Sequence, residues 1–126
     1  MTRDDLMRRV LWASVFFNLF GALLFLFPAS LGRLAGLPAP VPFAYSALLA
    51  LFIVLFGGSY AWLALQPRFD RPLVAFGAIG KASAFAVVLA CWVAGAVEGR
   101  AVLAITGDLV LAAIFAWWLL GDPASA

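Results

Sequence analysis

Three polar residues, Asn18, Lys81 and Asp108, stand inside long apolar runs, and they are the chemistry this chain must account for. An ionisable side chain in a membrane-spanning helix costs about 2.5–3.5 kcal/mol on insertion scales, so each one is expected to be paired, to reach water or to serve a site. An amine and a carboxylate together can lock two helices, line a polar pathway or hold a small ligand. Catalysis is a poorer fit. Ser59, Ser83 and Thr106 are candidate nucleophiles, but the chain has no histidine to act as the usual base. Lys81 could replace one only if burial depressed its pKa, and Asp108 would oppose that. A single cysteine, Cys91, leaves no intramolecular disulfide and no CxxC redox pair. The zinc and haem ligand sets and the phosphate-cradling glycine loops are missing too. The expectation is a protein without its own catalysis, cofactor or metal.

The elements that must position these residues follow from composition. Of 126 residues, 67% are hydrophobic and 11% charged, and mean hydropathy is +1.11. Soluble domains average roughly 45–50% apolar and about 25% charged residues. No single small core could hide this much apolar surface, so the remaining solvent is lipid. A spanning helix needs about 20 mainly apolar residues. Four stretches reach that length: about 10–27, stopped by Pro28; 43–65, stopped by Gln66-Pro67; 73–97; and 101–120, ending at Gly121-Asp122-Pro123. The predicted fold is an all-α, integral membrane four-helix bundle forming one transmembrane domain over residues 1–126. The first stretch follows Arg3, Arg8 and Arg9 like a signal peptide. It is longer than a usual h-region, and Pro28-Ala29-Ser30-Leu31 is a poor cleavage site, so it reads as a span. Between the first two spans, 31–35 forms a short interfacial helix with Ser30 as its N-cap and Gly36 as its terminator.

Basic residues in the short flanks set the orientation. Arg3, Arg8 and Arg9 precede the first span, and Arg68 and Arg71 lie in the second loop. Only Arg33 and Arg100 lie on the other side. Both termini are therefore expected in the cytoplasm, in a bacterial inner membrane. Arg68, Asp70 and Arg71 are expected to meet anionic headgroups. The net charge of +2 is not gathered into a footprint for nucleic acid. The bilayer is the expected partner, with a homo-oligomer or a larger membrane complex beyond it.

Counting inward at the helical rise puts Lys81 about 12–13 Å and Asp108 roughly 18 Å from the cytoplasmic ends. The difference is within reach of a lysine side chain. Small residues accompany them: Ala104, Asp108, Ala112 and Ala116 recur every four residues, as do Ser14, Asn18 and Ala22. Gly57, Gly58, Gly77 and Gly80 fall near the same depth. Such residues let membrane helices approach closely. Asn18, Lys81 and Asp108 thus form the candidate binding layer, and three readings of it stand open. Lys81 snorkels to the headgroups, or it pairs with Asp108 as a structural lock, or both line a pocket or pathway.

Two function classes remain. One is an inner-membrane accessory or small-ligand or lipid-binding protein. The other is an oligomeric transporter or channel using Lys81 and Asp108. The layout also resembles a known group. It has an Arg8-Arg9 start, Gly21 in the first span and a short amphipathic outer loop. A glycine-bearing second span then ends in Leu65-Gln66-Pro67-Arg68, and a restart at Arg71 leads into two final spans. This resembles the DoxX-like small four-helix membrane proteins of bacteria, across most of the chain. Gly21 is followed by Ala22-Leu23-Leu24, so the Gly-x-x-Lys ending often seen there is missing. The resemblance implies a four-helix membrane fold, and in some members an accessory role beside sulfur or quinone redox systems. No redox residue carries over to this sequence.

Overall fold

A computed structural model describes residues 1–121 and contains four long α-helices, each long and apolar enough to cross a membrane. The helix α1 runs from Arg3 to Leu26, seven residues ahead of the apolar stretch. Thr2 explains the early start. Its hydroxyl accepts from the Asp5 amide (3.0 Å), and the Asp5 carboxylate accepts from the Thr2 amide (3.1 Å). This reciprocal cap satisfies two otherwise orphaned donors, so the polar residues before Val10 join the helix. The regular ladder ends at Leu26 because Pro28 has no N–H to continue it.

A wide π-helical turn, Pro28–Gly32, follows. The expected helix at 31–35 therefore begins earlier, at Pro28, whose fixed φ suits a first turn. Ser30 makes no cap; Phe27 stands at the cap position without a side-chain bond. Gly32 N–H donates to the Phe27 carbonyl at 3.0 Å. A Cβ at Gly32 would meet the Leu24 carbonyl at 2.9 Å, so only glycine closes this turn without strain. Gly36, at φ +81°, ends it.

The remaining helices are α2 (Phe43–Leu65), α3 (Arg71–Val93) and α4 (Gly99–Leu119). Asp70 caps α3 by accepting from the Leu73 amide at 3.1 Å, and Pro72 occupies its first turn. The helix stops before Gly95, which takes φ +79°, so it ends short of the expected Val97. Of the proposed stop Gly121-Asp122-Pro123, only Gly121 lies within the described residues.

α1 packs along α2 and α3 along α4, and these two hairpins meet more sparingly through α1–α4 and α2–α3. The large buried side chains gather at the end that carries the N-terminus and the α2–α3 connection. Met7, Leu11, Tyr60, Leu63, Phe69, Val74, Phe115 and Trp118 form one core there. Elsewhere the helices show Phe16, Phe20, Leu48, Phe52 and Leu55 on the outside, an apolar belt suited to hydrocarbon.

The alanine stripe of α4 is corrected by this packing. Asp108 and Ala112 are buried, together with Ala101, Phe115 and Trp118, whereas Ala104 and Ala116 are exposed. Each four-residue step turns about 40° beyond a full circle, so a strict every-fourth stripe slides off the inner face. The buried set instead follows steps of seven, four, three and three, which keep to one face.

Candidate functional site: a polar chain through all four helices

Asn18, Lys81 and Asp108 converge. Lys81 Nζ lies 2.6 Å from Asp108 Oδ1 and donates to Asn18 Oδ1 at 3.1 Å. Asn18 Nδ2 donates in turn to the Ile53 carbonyl at 2.9 Å. One unbroken series thus passes from α2 (Ile53) through α1 (Asn18) and α3 (Lys81) to α4 (Asp108). Lys81, Asp108 and Asn18 are only 3%, 8% and 9% exposed. The ammonium is therefore held inside the bundle and does not snorkel to a surface.

The pairing is more level than helical counting from the apolar stretches implied. From Arg71 at the start of α3, Lys81 is about 15 Å along; from Leu119 at the end of α4, Asp108 is about 16 Å back. Because α3 begins two residues earlier than expected, the lysine bridges sideways and need not stretch along the axis.

Two aromatic rings complete the enclosure. Nζ lies 4.8 Å from the Tyr60 ring centroid and 5.4 Å from that of Phe17. An ammonium over such ring faces gains about 0.5–2 kcal/mol, more where water is absent. Glycines make room for both rings. A Cβ at Gly77 would meet Tyr60 Cε1 at 2.9 Å and Phe115 at 3.2 Å, and one at Gly107 would overlap the Phe17 ring. At Gly57 the added atom would press on Asn18 Cβ at 3.1 Å, so that glycine brings α2 against α1. Gly58 faces open space, and Gly80 packs beside Phe56 instead of the cluster. Phe17 and Tyr60 are the members that sequence reasoning does not find. Phe17 adjoins Asn18, and Tyr60 stands one turn beyond Gly57, but aromatic residues are so frequent here that adjacency alone does not single them out.

A second constellation closes the end of the bundle. Arg3 donates to the Trp117 and Trp118 carbonyls (2.9 and 3.0 Å), and Arg8 to the Ala64 and Gln66 carbonyls, the latter at 3.0 Å. Arg71 donates to the Leu119 carbonyl. The last carbonyls of α2 and α4 have no intrahelical partner, and a cation there also offsets the helix dipole. Each guanidinium further stacks on an aromatic ring: Arg3 on Trp117, Arg8 on Phe69 and Arg71 on Trp118. Trp118 Nε1 donates to Asp4 at 2.9 Å. The headgroup role expected for Arg68, Asp70 and Arg71 is thus reassigned for two of them, since Asp70 caps α3 and Arg71 turns into the bundle end. Arg68 and Asp70 are exposed, and Arg71 is half-buried. At the opposite end, the exposed pair Glu98–Arg100 forms across the start of α4.

Two surface hollows at the first end touch none of the three cluster residues. Compared with protein-family models, curated proteins and solved structures, the chain finds no match.

Proposed function

We propose that this chain is a multi-pass accessory protein of a bacterial inner membrane, with both termini cytoplasmic and no catalysis of its own. Its Asn18–Lys81–Asp108 layer is the lock that holds one arrangement of four helices. The observation that carries this reading is the bonded series through all four helices, in which the ammonium is engaged by a carboxylate, an amide and two ring faces. Buried polar groups satisfied in this way select one register among otherwise similar apolar packings. A bundle so fixed offers a steady surface to a partner subunit or a lipid. The architectural resemblance to DoxX-like proteins belongs to the same proposal.

A stability cycle in detergent tests the lock. Lys81→Met leaves the Asp108 carboxylate buried without its partner and is expected to destabilise by about 3–5 kcal/mol. Lys81→Met/Asp108→Leu removes both charges and is expected to recover most of that loss. Single variants as stable as the wild type would sink the lock and leave the charges to another task.

One observation favours the second reading, an oligomeric transporter or channel. Beyond Lys81, no residue of α3 is buried, so that half of α3 is open to a neighbour. Ion flux in vesicles that depends on Lys81 would support this reading over the accessory one; tight vesicles favour the accessory protein.

A further inference from the structure

The hollow between the first turn of α1 and the end of α4 is a candidate site independent of the lock. It is lined by Arg3, Ala113, Ala116, Trp117, Leu120 and Gly121. We propose that it binds an anionic phospholipid, with the headgroup phosphate on Arg3 and an acyl chain lying along Ala113 and Ala116.

Four observations converge on this ligand. First, Arg3 lines the hollow, and only one terminal nitrogen of its guanidinium serves the Trp117 and Trp118 carbonyls; the other makes no hydrogen bond among the described residues. A phosphate oxygen is an acceptor that the planar guanidinium fork suits well. Second, no carboxylate among the described residues lines this hollow, whereas Asp5 lines the neighbouring one beside Arg8 and Arg9. Third, Trp117 is exposed beside the arginine, at the helix end where an indole sits at headgroup level. Ala113 lies one turn deeper, about 6 Å, and both alanines are exposed and leave a trough without side-chain bulk. Fourth, Gly121 lacks the Cβ that would collide with the Arg3 guanidinium, which therefore rests against the helix end. The dipole of α4 by itself repels an anion at this end. Arg3 on Trp117 and Trp118 and Arg71 on Leu119 offset it.

Native mass spectrometry of the full chain in neutral detergent tests the site, using dioleoyl phosphatidylglycerol against dioleoyl phosphatidylcholine. The wild type is expected to retain the anionic lipid with about a fivefold preference, the factor one arginine supplies at a charged surface. Arg3→Ala abolishes the preference. Because that change also removes a cap from α4, Ala116→Phe serves as the second variant: it fills the trough from an exposed position and leaves Arg3 in place. It too is expected to reduce the preference to about one. Equal retention of both lipids by the wild type overturns the proposal, as does a preference that survives Ala116→Phe. Displacement of the lipid by millimolar inorganic phosphate marks a free-anion site and also overturns it. Loss of preference in Arg9→Ala but not in Arg3→Ala places the lipid in the neighbouring hollow and overturns the proposal as well. None of these outcomes bears on the Lys81 cycle, whose residues lie in the middle of the bundle.

Discussion

The two ends of this bundle are held by different means. At the end with the N-terminus, large side chains interlock: Tyr60 meets Phe115 edge-on at 5.6 Å, and Phe69 meets Trp118 at 5.5 Å. Three arginines then close the helix ends over them. At the other end the buried residues are small, namely Ala22, Gly32, Gly36, Ser46, Ala50 and Ala101. There backbone carbonyls take the contacts: the Ser46 hydroxyl donates to the Phe25 carbonyl, and Glu98 N–H donates to the Gly36 carbonyl at 3.1 Å. The Lys81 cluster marks the change from one regime to the other. In hydrocarbon, apolar side chains gain little by leaving solvent, so helices associate through fit and hydrogen bonds. The dense end uses aromatic fit, and the sparse end uses close backbone approach between neighbouring hairpin arms.

The largest effect separating the two ends is expected from truncation. Phe115→Ala opens a void beneath Tyr60 and should cost about 3–5 kcal/mol. Leu103→Ala on the same helix faces outward in the sparse half and should cost no more than about 0.5 kcal/mol. Comparable losses in denaturant titrations would erase the distinction between the halves. Glycine substitution gives an intermediate effect. Gly77→Ala drives a methyl into Tyr60 and Phe115 and should cost about 1–3 kcal/mol. Gly58→Ala meets nothing and should be neutral or gain up to about 1 kcal/mol of helix propensity. If Gly77→Ala were equally benign in thermal melts, the aromatic fit around it would have to be loose. The smallest contrast is between arginines. Arg8→Ala exposes the final carbonyls of α2 and should cost about 0.3–2 kcal/mol. Arg100→Ala breaks only the exposed pair with Glu98 at the start of α4 and should cost about 0–1 kcal/mol. Equal shifts for the two would mean that the arginine caps at the dense end are as weak as a solvated ion pair.

Much of the architecture is legible because its signals are local. Pro42 and Gln66-Pro67 bracket α2, which runs from Phe43 to Leu65 as the apolar run itself does. Gly36 marks a stop that its positive φ makes physical. Hydropathy alone misplaces the start of α1, because the signal there is polar: Thr2 and Asp5, whose three-residue spacing is a cap signature. The candidate layer is legible in part. Asn18, Lys81 and Asp108 are too costly in an apolar run to be incidental, and that cost alone singles them out. Their helical neighbours are harder to judge. Ala104 and Ala116 share a simple repeat with Asp108 yet face outward, because helical twist separates them from the inner face.

The arginines show why the rest is out of reach. Their number and placement indicate an end of the bundle, since charge in short flanks is read by counting. Their partners are carbonyls more than fifty positions away for Arg8 and more than a hundred for Arg3. Which carbonyl a guanidinium meets depends on how helix ends are staggered.

By itself, then, the sequence determined four apolar helices, their approximate limits and the presence of three polar residues that cannot be left alone in hydrocarbon. All of these depend on transfer energy and on backbone chemistry over a few residues. Only the tertiary structure decided that Asn18 would join Ile53 to Lys81, that Tyr60 and Phe17 would face the ammonium, and that Arg3, Arg8 and Arg71 would cap carbonyls on other helices. Each of those contacts requires the relative rotation and stagger of two helices. A uniform apolar surface leaves both free until side chains pack.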